Sequence, residues 1–316
     1  MKPIPISQVD ALFANGRYPI EFLLYYPRPV KTKHIRSSLR QLSASFWPVF
    51  GRYHHGQIEP LRYREAVFFE EKTLSTSFNP LAPAEEIFDK YKDFNPAHIE
   101  TLFFVTVIQY RNGTLLIPKM NHLVGDGYSY FYFLSALAAL SQPTYIPFKK
   151  RLIRYALKPS LKRTVLKDFL FDATPLVSTD NKTSYQIQFD RISRKEVKAI
   201  IRDLSDPEKE SVSSNDILSA IVVQKSAGLT KSGVNEEFYL TIPVDIRRQL
   251  GMYGPKYFGN GLYFNRTRFV AEEMARMDLV DIARKIRNSM VEISTDSYLN
   301  YLVSWEDLIN NGQLHQ

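Results

Sequence analysis

Leu102–Leu140 reads LFFVTVIQYRNGTLLIPKMNHLVGDGYSYFYFLSALAAL, and the order of patterns within it decides the architecture. Leu102 to Ile108 is an unbroken apolar run of strand length. Asn112-Gly113 is the strongest hairpin signal in the chain, and Thr114 to Met120 supplies the partner strand. His122-Leu123-Val124-Gly125-Asp126-Gly127 then leads into an apolar helix expected over Tyr128 to Leu140. The imidazole falls at the end of a hairpin strand and just before that helix, a place where it can be held at an interior crevice. Its ordinary pKa lies near neutrality, so it can take a proton from an alcohol or an amine. Gly125 and Gly127 let the chain turn sharply, and Gly127 allows close approach. Asp126 could orient His122, or pair with an arginine and brace the turn. A core histidine beside a capping aspartate is the plainer alternative.

Working outward, residues 35–47 (Ile35, Leu39, Leu42, Phe46) repeat apolar positions at helical spacing and stop at Pro48. Residues 142–182 read as a connection interrupted by Pro143, Pro147, Pro159 and Pro175. A second lobe opens with the alternating strand Tyr185 to Phe189. Ser193 and Glu196 form a capping box that starts a helix, and a further helix spans about Asn215 to Ala227. Strands are expected at Phe238–Pro243 and Gly261–Phe264, and a helix from Ala271 to Ile293. The pattern is α/β in two lobes with mixed sheets: 1–145, a basic crossover at 146–182, and 183–316.

Composition narrows the function. With 44% hydrophobic residues among 316, the chain has the material for a core and is not a disordered one. The net charge of +8 lies in one segment: Lys149, Lys150, Arg151, Arg154, Lys158, Lys162, Arg163 and Lys167 face no acid, and without them 33 basic and 33 acidic residues remain. A basic coat for nucleic acid is therefore not indicated. The segment reads as a solvated crossover that could steer an anionic ligand. Leu157, Leu161 and Val165, on one helical face beside the charges, leave a membrane surface as the weaker option. The absence of cysteine excludes disulfides, thiolate catalysis and cysteine zinc sites. His54-His55 are adjacent and His34, His98 and His315 scattered, so no metal site is expected. The acid pairs Glu70-Glu71, Glu85-Glu86 and Glu236-Glu237 read as solvated surface. No phosphate-binding glycine motif and no Gly-x-Ser-x-Gly elbow is present. The N-terminus lacks the apolar run of a signal peptide, and the longest apolar stretch is too short to span a bilayer. A soluble, cytoplasmic protein is expected.

Four segments, in order, carry a resemblance to the BAHD acyltransferases and the wider group with the chloramphenicol acetyltransferase-like fold. They are Leu39 to Arg52, ending in Pro48-Val49-Phe50-Gly51-Arg52; His122 to Gly127; Ser213-Ser214-Asn215-Asp216-Ile217-Leu218-Ser219-Ala220; and Val244-Asp245-Ile246-Arg247 with Tyr257-Phe258-Gly259-Asn260. The resemblance implies two lobes meeting at a tunnel entered by an acyl-coenzyme A thioester from one face and a hydroxyl or amine acceptor from the other. His122 would be the general base, with no covalent intermediate and no permanently bound cofactor. Asp126 would turn away from the reacting atoms and pair with Arg247. Gly127 would support the site, and Ser214 and Asn260 would touch the coenzyme. Most of Tyr128, Tyr130, Phe131, Tyr132 and Phe133 would be core, with one or two left to line the acceptor pocket.

Two departures qualify the resemblance. The family's Asp-Phe-Gly-Trp-Gly signature has no counterpart, so the second lobe is expected to be incomplete and the oxyanion donor is unidentified. That leaves room for a non-catalytic binding relative, or for a fragment or split half completed by a partner chain on an exposed sheet edge. Peptide-synthetase condensation domains carry two adjacent histidines before x-x-x-Asp-Gly. Asn121 takes the first place here, which favours a free acyl-coenzyme A over a carrier-bound donor.

Overall fold

A computed structural model of the protein describes residues 1–13, 20–91, 101–142, 152–153, 155–163, 192–204, 212–229, 237–274 and 276–311. The chain divides into two compact units. One comprises Met1–Gln186, Ile246–Gly261 and Ser294–Gln316, the other Ile187–Asp245 and Leu262–Ile293. This division follows packing and not chain order, so it departs from a single cut through 146–182.

The first unit is built on two sheets. β1 (Ile4–Pro5), β5 (Gln57–Glu59) and β4 (Arg52–His54) form one. β2 (Ile20–Glu21), β3 (Leu24–Tyr26), β6 (Phe69–Thr73), β7 (Phe103–Tyr110) and β8 (Gly113–Met120) form the other. The larger sheet is mixed: β6 runs parallel to β7, and the remaining pairs are antiparallel. β8 lies between β7 and the two short strands, and every one of its residues is buried. The β7–β8 hairpin stands where Asn112-Gly113 placed it, for a different physical reason. Tyr110 pairs with Gly113, so the turn residues are Arg111 and Asn112, and neither has a positive φ. Gly113 is required because a Cβ there would overlap the Tyr26 carbonyl oxygen and meet the Tyr25 ring at 2.9 Å.

Helices α1 (Gln8–Ala11), α2 (Thr32–Leu42), α3 (Glu65–Phe68), α4 (Ala84–Tyr91) and α5 (Gly127–Ser141) belong to this unit. α2 packs on α5. It ends at Leu42, and Trp47–Phe50 forms a separate 3₁₀ turn with Pro48 at its start, where a missing N–H costs nothing. Phe46, Phe50, Phe103 and Phe133 meet edge-to-face at 5.2–5.9 Å between centroids and make the centre of the core. Of the aromatic crowd on α5, Tyr130 and Phe133 are buried, whereas Tyr128 and Phe131 are exposed. Leu157 and Leu161 pack against this core, so they offer no apolar face to a membrane, and residues 161–163 are not helical. Val165, the strand expected at Tyr185–Phe189, and Lys149, Lys150, Arg151, Arg154 and Lys167 lie outside the described residues.

The second unit contains α6 (Arg194–Leu204), α7 (Ser214–Leu229), β9 (Glu237–Asp245), β10 (Leu262–Val270), α8 (Ala271–Met274) and α9 (Leu279–Ser289). The Ser193–Glu196 capping box is present: Glu196 N donates to Ser193 Oγ at 3.1 Å and Ser193 N to Glu196 Oε2 at 2.6 Å. β9 and β10 pair antiparallel from Leu262↔Asp245 to Val270↔Glu237. Ile217, Ala220, Phe269, Ile282 and Ile286 make the core beneath them. The helix expected over 271–293 is two helices, because Asp278 and Asp281 form a fresh capping box that starts α9. A last helix, α10 (Thr295–Asn310), returns to the first unit and buries only Tyr298 and Leu302. No helix among the described residues is long and apolar enough to cross a membrane.

Candidate functional site

Asn121 shapes the turn that carries His122. Its backbone N donates to Leu102 O at 2.8 Å, which holds the end of β8 to the neighbouring strand. Its side-chain Oδ1 accepts from Leu123 N at 2.9 Å, and its carbonyl accepts from Val124 N at 3.0 Å. The half-buried His122 ring stacks on Phe13 with centroids 3.7 Å apart. Its Nδ1 lies 3.1 Å from Asn260 Oδ1. Burial pushes the imidazole pKa below its ordinary value; its own backbone hydrogen bond, Asp126, Asn260 and Asp10 only partly offset this. Burial thus favours the neutral ring, the form that can accept a proton.

Asn260 itself is 1% exposed and fully engaged. Its Nδ2 donates to Asp10 Oδ1 at 2.7 Å and to His122 O at 2.9 Å. In this structure the side chain meets His122 and Asp10, whereas the sequence expectation was a coenzyme contact.

Asp126 caps α5, accepting from Ser129 N at 2.9 Å. It also receives a two-pronged contact from Arg247, with Nη1 to Oδ2 and Nη2 to Oδ1 both at 2.9 Å, and Gly261 N at 2.9 Å. None of its hydrogen bonds among the described residues goes to His122. Arg247 adds Tyr257 O at 3.2 Å, Ser129 Oγ at 3.0 Å and Gly259 O at 2.8 Å, and both ionised side chains are buried. The pair ties the loop Ile246–Gly261 to the start of α5. Gly127, expected to permit close approach, has no protein atom within 4 Å of a Cβ placed on it. The tight packing belongs to Gly125, where a Cβ would meet the Ser129 Cβ at 2.8 Å, and to Gly259.

Sequence reasoning missed two members. Asp10 sits in a capping box with Ser7, accepting from Ser7 N at 2.9 Å through Oδ2. The Ser-x-x-Asp spacing signalled that box but not its burial. Arg163 was counted with the solvated basic run. It is instead wholly enclosed, donating to Val124 O at 2.7 Å and to Phe258 O, with Nε 3.4 Å from Asp10 Oδ2. Ser214 lies in the second unit, exposed at the first turn of α7. An apolar cavity of about 440 Å³ between α2 and α5, lined by Leu24, Ile35, Leu116, Leu134 and Leu137, includes none of these residues. No group of three metal-binding side chains occurs among the described residues.

The family model described as "Transferase family" matches residues 75–315. Solved structures share the fold at low identity. TRI101 of F. graminearum, crystallised with coenzyme A and deoxynivalenol, is 15% identical with a TM-score of 0.66, covering 100% of this chain and 79% of that one. Vinorine synthase is 17% identical with a TM-score of 0.65, covering 98% and 76%. An epimerization domain of tyrocidine synthetase B aligns at 14% identity and a TM-score of 0.55, covering 91% and 72%. No curated protein matches the sequence.

Proposed function

We propose, from the premise that this chain belongs to the BAHD acyltransferase family, that it moves an acyl group from acyl-coenzyme A to a hydroxyl or amine, with His122 as general base. The observation that carries this reading is an imidazole whose Nδ1 is met by an amide oxygen at 3.1 Å, in surroundings whose burial favours the neutral form. That leaves Nε2, which has no partner among the described residues, to act as base.

The chemistry follows. Nε2 takes the proton of the acceptor O–H or N–H as the oxygen or nitrogen attacks the thioester carbonyl. The tetrahedral oxyanion collapses, the C–S bond breaks, and the imidazolium returns its proton to the departing sulfur. The protein ends unchanged and coenzyme A leaves as the free thiol. Asp126 and Arg247 keep the turn in place and take no part in proton transfer. Gly125 and Gly259 let that packing close. Ser214 remains a candidate coenzyme contact on the strength of the family resemblance.

The test is thiol release from a panel of acyl-coenzyme A thioesters with alcohol and amine acceptors. His122→Ala should lower the rate by about 10²–10⁴ while the fold is retained. Equal rates in variant and wild type would overturn the base assignment.

A further inference from the structure

We propose that Asp10, acting through Asn260, is a positioning residue that holds His122 in the tautomer with a proton on Nδ1 and a bare Nε2. The inference rests on the reading of His122 as base and adds how the base is set.

The argument starts at the carboxylate. Asp10 is fully buried, and its Oδ2 accepts from Ser7 N and faces Arg163 Nε at 3.4 Å. Arg163 is equally enclosed, so the two charges compensate one another inside the first unit. An ionised carboxylate only accepts hydrogen bonds. Its Oδ1 therefore requires a donor from Asn260, and the Asn260 side chain and backbone N both supply one, at 2.7 and 3.3 Å.

That requirement fixes which end of the Asn260 amide is which. The nitrogen end faces two acceptors, Asp10 Oδ1 and the His122 carbonyl at 2.9 Å. Turned the other way, the amide oxygen would face both and find no hydrogen, leaving three buried acceptors in conflict. With the amide so oriented, only Oδ1 is left to meet the ring, and an amide oxygen cannot donate. Nδ1 must then carry the hydrogen at 3.1 Å, beside the ring's own backbone hydrogen bond, and Nε2 the lone pair. Phe13, stacked face to face on the His122 ring at 3.7 Å between centroids, limits its swing away from this arrangement. When Nε2 takes a proton, the same chain of dipoles ends on the Asp10 charge and steadies the imidazolium. The chain is Asp10, Asn260, His122; Asp126 is not in it.

Nitrogen-15 NMR of the whole chain, labelled at histidine, reads the tautomer without any need for turnover. Wild type should show His122 with a protonated Nδ1 and a bare Nε2. Asp10→Asn should shift that population toward the Nε2-protonated form. It should also lower kcat about tenfold or more with KM within about twofold, since only the state of the base changes. Asn260→Leu should do the same, and serves if Asp10→Asn does not fold. A wild-type His122 protonated at Nε2 would overturn the proposal. So would a tautomer and kcat both unchanged in a folded Asp10→Asn or Asn260→Leu protein. If His122→Ala kept full activity while the tautomer matched expectation, the base reading would fail and the positioning chain would stand.

Discussion

Replacing Arg247 by Met tests the tie between α5 and the Ile246–Gly261 loop. The side chain is 1% exposed and its partner Asp126 2%. Methionine removes the cation and both short contacts, and leaves the carboxylate with only the N–H groups of Ser129 and Gly261. Breaking one side of a buried pair costs about 3–5 kcal/mol. The Tyr257 carbonyl also loses its guanidinium donor, at about 1 kcal/mol more. Gly259 O keeps the Ser129 hydroxyl at 2.9 Å and adds little. Asp126→Asn retains the helix cap but sets an amide nitrogen opposite two donors, Arg247 Nη1 and Gly261 N, for a cost of similar size. The double variant removes both charges at once, so it should be at least about 2 kcal/mol more stable than the two single losses predict. Equilibrium urea unfolding reads this directly, and a 4 kcal/mol loss moves the midpoint down by about 1–2 M. Trp47 and Trp305, the two tryptophans, both belong to the first unit, so their fluorescence follows the unit that holds the pair. Strict additivity, or single losses below about 1 kcal/mol, would refute the reasoning.

Other consequences are as specific. Gly259→Ala places a methyl on Arg163 Nη1 and 2.7 Å from the Tyr257 hydroxyl, so it should destabilise by about 2–4 kcal/mol, measured by the same unfolding. Because burial lowers the His122 pKa, kcat/KM should stay level as pH falls to about 6.5 and decline only below it. A decline centred above that value would contradict the assignment. The folded state also binds fewer protons at His122 than the unfolded chain. Stability should therefore fall as pH drops through the ordinary histidine value toward the lower folded one, and His122→Gln should flatten that slope in pH-dependent unfolding. Glu21→Gln takes the carboxylate 2.7 Å from the buried Lys119 ammonium, and should cost about 2–4 kcal/mol by urea unfolding, whereas Glu21→Gln with Lys119→Met should recover part of it.

The hairpin and the turn after it were legible because they are local. β7, β8 and α5 follow one another within forty residues, and an unbroken apolar run, a hairpin signal and the Asp126 cap mark them in turn. Asp126 was readable as a cap for the same reason, and its alliance with Arg247 came from resemblance, since 121 residues separate them. The contact of Asn260 with Asp10 is not legible in the sequence, because its neighbours Tyr257-Phe258-Gly259 say nothing of a carboxylate 250 residues away. Arg163 was grouped with its neighbours by charge, and a run of charges does not announce that one member turns inward. α10 escaped notice because its buried stripe is only Tyr298 and Leu302, too narrow for a periodic signal. Gly113 shows the opposite case: a correct turn from a motif whose usual dihedral logic does not operate there.

The loop Ile246–Gly261 joins β9 to β10 yet packs with a unit whose first residue is Met1. During synthesis this imposes an order of events. Asp10 leaves the ribosome first, its companion Arg163 later, and Asn260 last of the three, 250 residues after Asp10. At ordinary translation rates that gap lasts about 10–50 s. Through that interval an acid destined for full burial waits for its Asn260 partner, and so, once made, does the His122 turn. The contacts of the histidine turn with this loop are thus made late, and any pause before residue 260 prolongs the life of a chain whose Asp10 and His122 still lack Asn260.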